Sequence, residues 1–347
     1  MKKKQEKRKA TTMADVAAAV GVSKTTISRY LHGDYEFMSD ETREKIRKVI
    51  EQLNYRPNRA AQNLKADKSN CIGLSIADIG NPFSSLLMKG VQSECRKRGC
   101  QLLIADADND LLQEQKNMDS FINEQVDGLI VNSVGDNKEF MERFYQAEDH
   151  KPMVLLDRTY RPIFCDSVVT NNEMVTRQML EELKKNGYEY IVFVSEKTEG
   201  ISTRAIRRES VEAFFKEDHA VQGEVFIFTE EDKLDRMAKL AEILNNHSKV
   251  CFFANNDEVL RNLISYFFHM EQRIGIDLGL CAFADEKWAK YSGPGITCIE
   301  QHPFDMGVSA AQILFQRMDH ELKEKVIYKE IPADICKYES TKSINEA

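Results

Sequence analysis

The chain has 347 residues, 42% of them hydrophobic, enough for two or three packed domains. No apolar run approaches the length needed to span a bilayer, which excludes a membrane protein built of helices. The net charge of −8 would by itself argue against nucleic acid as a partner, but it is unevenly spread: residues 1–70 hold 16 Lys/Arg against 9 Asp/Glu (net +7), and the remainder hold 32 against 47 (net −15). A basic head on an acidic body suits contact with phosphate at one end only.

The basic start Met1–Lys9 is followed by no apolar segment, so it does not read as a secretory signal. It can touch a DNA backbone or remain a solvated arm. The eight cysteines are scattered without a C-x-x-C and read as reduced, mostly buried thiols. These features predict a soluble, cytoplasmic protein with no membrane partner.

From Thr12 to Arg29 the pattern predicts a short helix, a sharp turn at Gly21 and a second helix opened by Ser23. Thr12 and Ser23 are candidate N-caps, and Gly21 tolerates the positive φ that the turn demands. Val16, Val20, Val22 and Ile27 supply the crossing surfaces. Lys24, Thr25, Ser28 and Arg29 lie near the start of the second helix, where a helix-turn-helix meets base edges in the major groove. A third helix runs from Ser39 or Asp40 to about Leu53, with Ile46, Val49, Ile50 and Leu53 as its apolar stripe. Pro57 then opens a short segment to Leu64 that is too short to be helical alone in water, hence a candidate switch.

The ordered set Thr12, Asp15-Val16-Ala17, Gly21-Val22-Ser23, Thr26, Ser28-Arg29, then Thr42-Arg43-Glu44-Lys45-Ile46 and Leu53-Asn54-Tyr55-x-Pro57-Asn58-x-x-Ala61-x-x-Leu64, resembles the lactose/galactose repressor (LacI/GalR) family. The resemblance implies a homodimer on double-stranded operator DNA, with Thr12, Ser23 and Thr26 joining the DNA-facing set. It also implies that the 57–64 helices pair at the operator centre, inserting Leu64 into the minor groove with Asn58, Ala61 and Lys65 against backbone or groove. The expected domains are a helix-turn-helix head at 1–56, a hinge helix and linker at 57–70, and a two-lobed effector and dimerisation domain at 71–347.

The body alternates strand and helix. Strands are predicted at 71–77, 101–105, 128–132 and 153–157, with helices near 83–98, 112–125 and 138–148 between them. Beyond Asn171 come helix 172–186, strand 190–194, helix 205–217, strand 224–228, helix 231–246, strand 250–254, helix 256–271, strands 278–283 and 296–299, helix 303–320 and a late strand at 326–330. The last ten or so residues read as a polar tail. The fold class is therefore α/β, a helical head on two doubly wound lobes. The resemblance implies a periplasmic-binding-protein-like core whose lobes the chain crosses more than once, so that the last strands can return to the first lobe.

Ligands of such sheets bind at the carboxyl ends of the strands. Phe83, in an N-P-F that matches the family, can stack on a ring or anchor its helix. Asp157 can accept from ligand hydroxyls or pair across the lobes. Arg204, Arg207 and Arg208 are close together; a guanidinium offers paired donors to a carboxylate, and Arg204 is the first choice. Asn256 matches the asparagine of a family N-D pair and can also be a cap; Gln301 matches a glutamine that can bond ligand or orient a loop. Phe283-Ala284-Asp285-x-x-Trp288 resembles the family's F-D-D-x-x-W with Ala284 in place of the first acid, leaving Asp285 as the acid. That loss, with the arginines, favours an acidic sugar over a neutral one. The whole chain is similar to 2-keto-3-deoxygluconate repressors of that family, which implies such an effector. No catalytic motif, metal set or cofactor-binding loop is present in the sequence. The rival classes are a solute-binding protein, a corepressor-activated regulator of the same fold, and an α/β enzyme.

Overall fold

The computed structural model describes residues 11–31, 33–56, 69–147, 151–228, 233–322 and 325–343. The expected hinge helix 57–64, and with it Asn58, Ala61, Leu64 and Lys65, lies outside the described residues. The chain divides into two compact units, Met1–Ser69 and Asn70–Ala347.

In the first unit, α1 (Met13–Val20), α2 (Lys24–Leu31) and α3 (Asp40–Gln52) pack around Val16, Ala17, Val20, Ile27, Ile46 and Tyr55. Tyr55 is a core residue that helical periodicity does not reveal, because it follows the positive-φ Asn54 beyond the end of α3. Leu53, expected on the apolar stripe, is 37% exposed.

The second unit holds two six-stranded sheets. Sheet A has the order β11-β5-β4-β3-β1-β2, all parallel, from β1 (Cys71–Ile76), β2 (Gln101–Asp106), β3 (Gly128–Val131), β4 (Met153–Leu156), β5 (Asp166–Thr170) and β11 (Tyr328–Ile331). Sheet B has the order β12-β10-β9-β8-β6-β7, from β6 (Tyr190–Ser195), β7 (Gln222–Ile227), β8 (Val250–Ala254), β9 (Gly279–Phe283), β10 (Thr297–Glu300) and β12 (Asp334–Cys336); only β12 is antiparallel. The central strands are buried on both faces, as parallel sheets covered by helices require. Helices α4 (Pro82–Arg98), α5 (Leu111–Asn123) and α6 (Lys138–Gln146) follow strands of sheet A; α7 (Asn172–Lys185), α8 (Ser202–Glu217), α9 (Lys233–Asn246) and α10 (Asp257–His269) serve sheet B. A single turn, α11 (Glu286–Ala289), follows β9, and α12 (Pro303–Met318) returns to pack on α4 and sheet A.

The chain passes between the lobes three times, at 170–172, 301–303 and 331–334; β11 comes back to the first lobe as expected, α12 packs there too, and the last strand, β12, stays in the second. Several elements depart from the sequence reading, and the short β12 and α11 were not expected at all. Strand β5 was not expected, since Asp166-Ser167-Val168-Val169-Thr170 is polar by composition. Its acid is buried and satisfied from afar: Arg317 donates to Asp166 at 2.7 and 2.8 Å and the Ile327 N–H at 2.8 Å. Helix α8 begins at Ser202 rather than 205. The expected polar tail is partly interior: Ser340 is buried and donates to the Leu280 carbonyl at 2.6 Å, while its hydroxyl accepts from the Thr297 N–H at 2.8 Å.

Candidate functional site

Two regions carry the chemistry. In the head, the Thr12 hydroxyl accepts from the Asp15 N–H and Asp15 accepts in return from the Thr12 N–H at 2.8 Å, a reciprocal cap that sets the start of α1. Gly21 takes φ 83° at the turn. The Ser23 hydroxyl accepts from the Thr26 N–H at 3.1 Å and opens α2. Thr12, Ser23 and Thr26 are thus engaged in forming the two helices. Lys24, Thr25 and Arg29 are exposed while Ile27 between them is fully buried, so α2 turns its polar face outward; Ser28 is half-buried. Arg29 lies 3.8 Å from Asp34, with its guanidinium 5.8 Å from the centroid of the exposed Phe37 ring.

In the second unit the carboxyl ends of the strands of both sheets converge. Arg207, on α8, is the centre of this region. It is 5% exposed and every arm of its guanidinium is used: Nε donates to Asn172 Oδ1 at 2.7 Å, Nη1 to the Asn255 carbonyl at 2.7 Å and Nη2 to Gln301 Oε1 at 3.2 Å. The guanidinium lies 3.5 Å from the centroid of Phe283. Gln301 donates to Thr170 Oγ1 at 2.6 Å, so this one network joins two of the three passages between the lobes.

Asp157 follows β4 in a left-handed conformation, φ 69°, and is buried. Burial holds its carboxyl above the usual carboxylate range, against the pull of Arg158 and Arg207. Burial also pulls Arg207 down to about 9, with Asp157 opposing and the like charges of Arg204 and Arg158 assisting. Arg158 donates to the Ser133 and Val134 carbonyls at 2.9 and 2.8 Å. Three guanidinium groups therefore share one electrostatic neighbourhood. Arg204 sits further out, paired with Glu196 at 2.5 Å, and Glu196 also accepts from Asn256 Nδ2 at 2.8 Å. Arg208 turns away to Thr198 Oγ1 at 2.9 Å.

The other expected ligand residues serve local structure as well. Asn256 caps α10 by accepting from the Val259 N–H at 2.9 Å, and Asp285 caps α11 by accepting from the Lys287 N–H at 3.0 Å. Phe83 is half-buried against the core of the first lobe. Asp257, not in the expected set, accepts from Trp288 Nε1 at 2.9 Å. Asn172, Asn255, Glu196 and Arg158 also belong to the region. The doubled asparagine at the end of β8 was a visible signal for Asn255; nothing local in the sequence marks Asn172.

The two lobes touch at their loops. A Cβ built on Gly135 would lie 2.6 Å from the Gly200 carbonyl oxygen, and one on Gly200 would lie 2.6 Å from Asp136 Cβ. The Thr159 N–H donates to Ser202 Oγ at 2.9 Å and Arg161 pairs with Glu209 at 2.9 Å. The Gly135 loop is braced from below by the buried Glu114, which accepts from the Val134 N–H at 2.8 Å and Asn137 Nδ2 at 2.9 Å. Among the described residues no group of three or more His, Cys, Asp or Glu could hold a metal, and no helix is long and apolar enough to cross a membrane.

Comparison with known proteins places both parts of the chain in one family. Residues 12–58 match the model of bacterial regulatory proteins of the lacI family. Residues 69–259, more than half of the chain, match that of periplasmic binding proteins and the sugar-binding domain of the LacI family. The chain belongs to the LacI family. As a member it is a DNA-binding transcriptional regulator, not an enzyme. It is 34% identical to the HTH-type transcriptional regulator KdgR of Bacillus subtilis (strain 168) over 334 residues, covering 92% of this chain and 97% of that one. It is likewise 34% identical to PtxS of Pseudomonas plecoglossicida, covering 88% and 89%. In fold it matches the lac repressor dimer bound to operator and the anti-inducer ONPF, with a TM-score of 0.83 at 20% identity, covering 96% of this chain and 100% of that one.

Proposed function

We propose that this LacI-family regulator represses genes of carbohydrate use and leaves its operator when an acidic sugar enters between its lobes. The effector favoured is 2-keto-3-deoxygluconate. The observation that carries the reading is the convergence of Arg158, Arg204 and Arg207 at the strand ends, with the neutral Ala284 where relatives of the resembled motif have an acid. A carboxylate is drawn to such a cluster and gains charge-assisted hydrogen bonds there. Asp157, Asn256, Asp285 and Gln301 would then take the hydroxyls, and Phe83 the apolar ring face. The similarity to KdgR over nearly the whole of both chains is in keeping with this choice.

On DNA, two heads of a homodimer occupy half-sites, with Lys24, Thr25, Ser28 and Arg29 on the face turned to base edges and Thr12, Ser23 and Thr26 completing the DNA-facing set. Residues 1–56 read, 57–70 couple and 71–347 sense. In this scheme the 57–64 segments form paired helices at the operator centre, Leu64 wedges the minor groove, and Asn58, Ala61 and Lys65 hold the groove and backbone. Closure of the lobes on ligand disfavours that pairing and lowers operator affinity by a coupling free energy of typically ~1–3 kcal/mol. Titrating an operator complex with a panel of sugars and sugar acids tests the reading. Release by 2-keto-3-deoxygluconate is expected; release only by a neutral hexose or a purine overturns the effector class.

A further inference from the structure

Among the buried polar side chains of the sensor, Asn255 stands apart. It follows β8, is 0% exposed, and has both main-chain groups in use: its N–H donates to the Val194 carbonyl at 2.9 Å and its carbonyl accepts from Arg207. Its side chain has no such employment. Neither Oδ1 nor Nδ2 finds a hydrogen-bond partner among the described residues. Buried amides are nearly always paired, and one left with both ends empty destabilises the fold that carries it. A side chain of that kind persists where something other than stability retains it.

Its position says what that is. Alternate residues of β8, Cys251 and Phe253, face the core formed with α7 and α8, and Asn255 continues that alternation past the strand end. That side is where Arg207 lies over Phe283. In the opposite lobe, Arg158 also has a buried Nε without a partner. The empty capacity of Asn255 and Arg158 is thus found where the guanidinium groups gather, whereas the unpartnered hydroxyls of Ser75 and Thr176 each stand alone on β1 and α7.

We propose that Asn255 contacts the effector, its Nδ2 donating to a carboxylate or keto oxygen and its Oδ1 accepting from a neighbouring hydroxyl. A carboxamide satisfies both demands at once, which suits a hydroxylated carboxylate better than a bare anion. The inference rests on the sugar-acid reading above, and names a specificity-determining residue for it. The competing occupant is a buried water, which can satisfy an amide equally well.

The test uses the full-length protein with Asn255→Leu, close to Asn in size, and Asn255→Ala. Affinity for 2-keto-3-deoxygluconate is measured by calorimetry, and melting temperature is measured without ligand. The expected result is an affinity at least tenfold weaker in both variants, with the unliganded melting temperature of Asn255→Leu equal to or above that of the wild type. An affinity within twofold of wild type overturns the proposal, and so does a melting temperature several degrees lower in Asn255→Leu, since the amide is then already partnered by water. If the wild-type protein binds neither this keto acid nor any other sugar acid, the proposed effector class fails instead. The melting temperatures still decide whether the amide of Asn255 is idle without ligand.

Discussion

Gly200→Ala isolates the contact between the lobes. Gly200 has φ +76°, and a Cβ there would lie 2.6 Å from Asp136 Cβ and 3.1 Å from its backbone nitrogen. The substitution has two separable effects. The left-handed backbone is unfavourable for alanine by ~1 kcal/mol whether the lobes are together or apart, so it lowers the melting temperature without altering ligand affinity. The collision arises only when the lobes meet. Relief requires the Asp136 loop to retreat by about an ångström, the difference between 2.6 Å and an ordinary carbon contact of ~3.5 Å. That loop is held by Arg158 through the Ser133 and Val134 carbonyls and by Glu114 through the Val134 N–H. Loss of one or two such bonds is worth ~1.5–3 kcal/mol. Effector affinity should therefore fall by about ten- to a hundredfold, with operator release shifted to higher ligand by the same factor. The second substitution Asp136→Gly removes the colliding Cβ and should restore most of the loss, giving a clear coupling in a double-mutant cycle. Unchanged ligand affinity in Gly200→Ala, or no rescue by Asp136→Gly, would refute the reasoning.

Other outcomes follow from the same geometry. Arg207→Met keeps an apolar stem over Phe283 but removes the charged donors, and should weaken effector binding more than a hundredfold, ~3 kcal/mol, in calorimetry. Arg29→Ala should reduce the preference for operator over random DNA by ~1–3 kcal/mol in competition binding; an equal loss on both DNAs would assign Arg29 to the backbone. Burial holds the Asp157 carboxyl above its ordinary range, so near that range the folded protein keeps a proton that the unfolded chain has released. Its contribution to stability is therefore greatest at low pH and declines as pH rises through the raised value. The gap in melting temperature between Asp157→Asn and wild type should widen in favour of the variant from pH 4 to 7, and a constant or reversed gap would show the carboxylate well satisfied. Asp166→Ala strands the 17%-exposed Arg317 side chain and should cost about 3–5 kcal/mol in denaturant unfolding.

How far each part was legible depends on the range of the forces that shape it. The head was readable because its signals are local: caps at Thr12 and Ser23, the turn at Gly21, and apolar residues at helical spacing all lie within one or two turns of what they determine. The hydrophobic strands of both sheets were readable for the same reason, since a run such as Val250–Ala254 announces burial on both faces. Strand β5 was not, because its Asp166 is interior only by virtue of Arg317, 151 residues away. The tail was read as polar because Ser340 and Thr341 are polar; they are buried where Thr297 and Leu280 provide their partners.

The composition of the candidate site was likewise visible while its arrangement was not. Three arginines in five positions, a lost acid at Ala284 and asparagines at a strand end point to an anionic, hydroxylated ligand before any coordinate is known. Helical spacing alone could not rank Arg204 against Arg207. Packing set one beside Glu196 at the edge and buried the other among Asn172, Asn255 and Gln301. The family was thus written in short-range pattern, and the proposed ligand class rests on residue type. The identity of the central guanidinium, the idle amide of Asn255 and the meeting of Gly135 with Gly200 were decided only by tertiary structure, because each depends on groups brought together from distant parts of the chain.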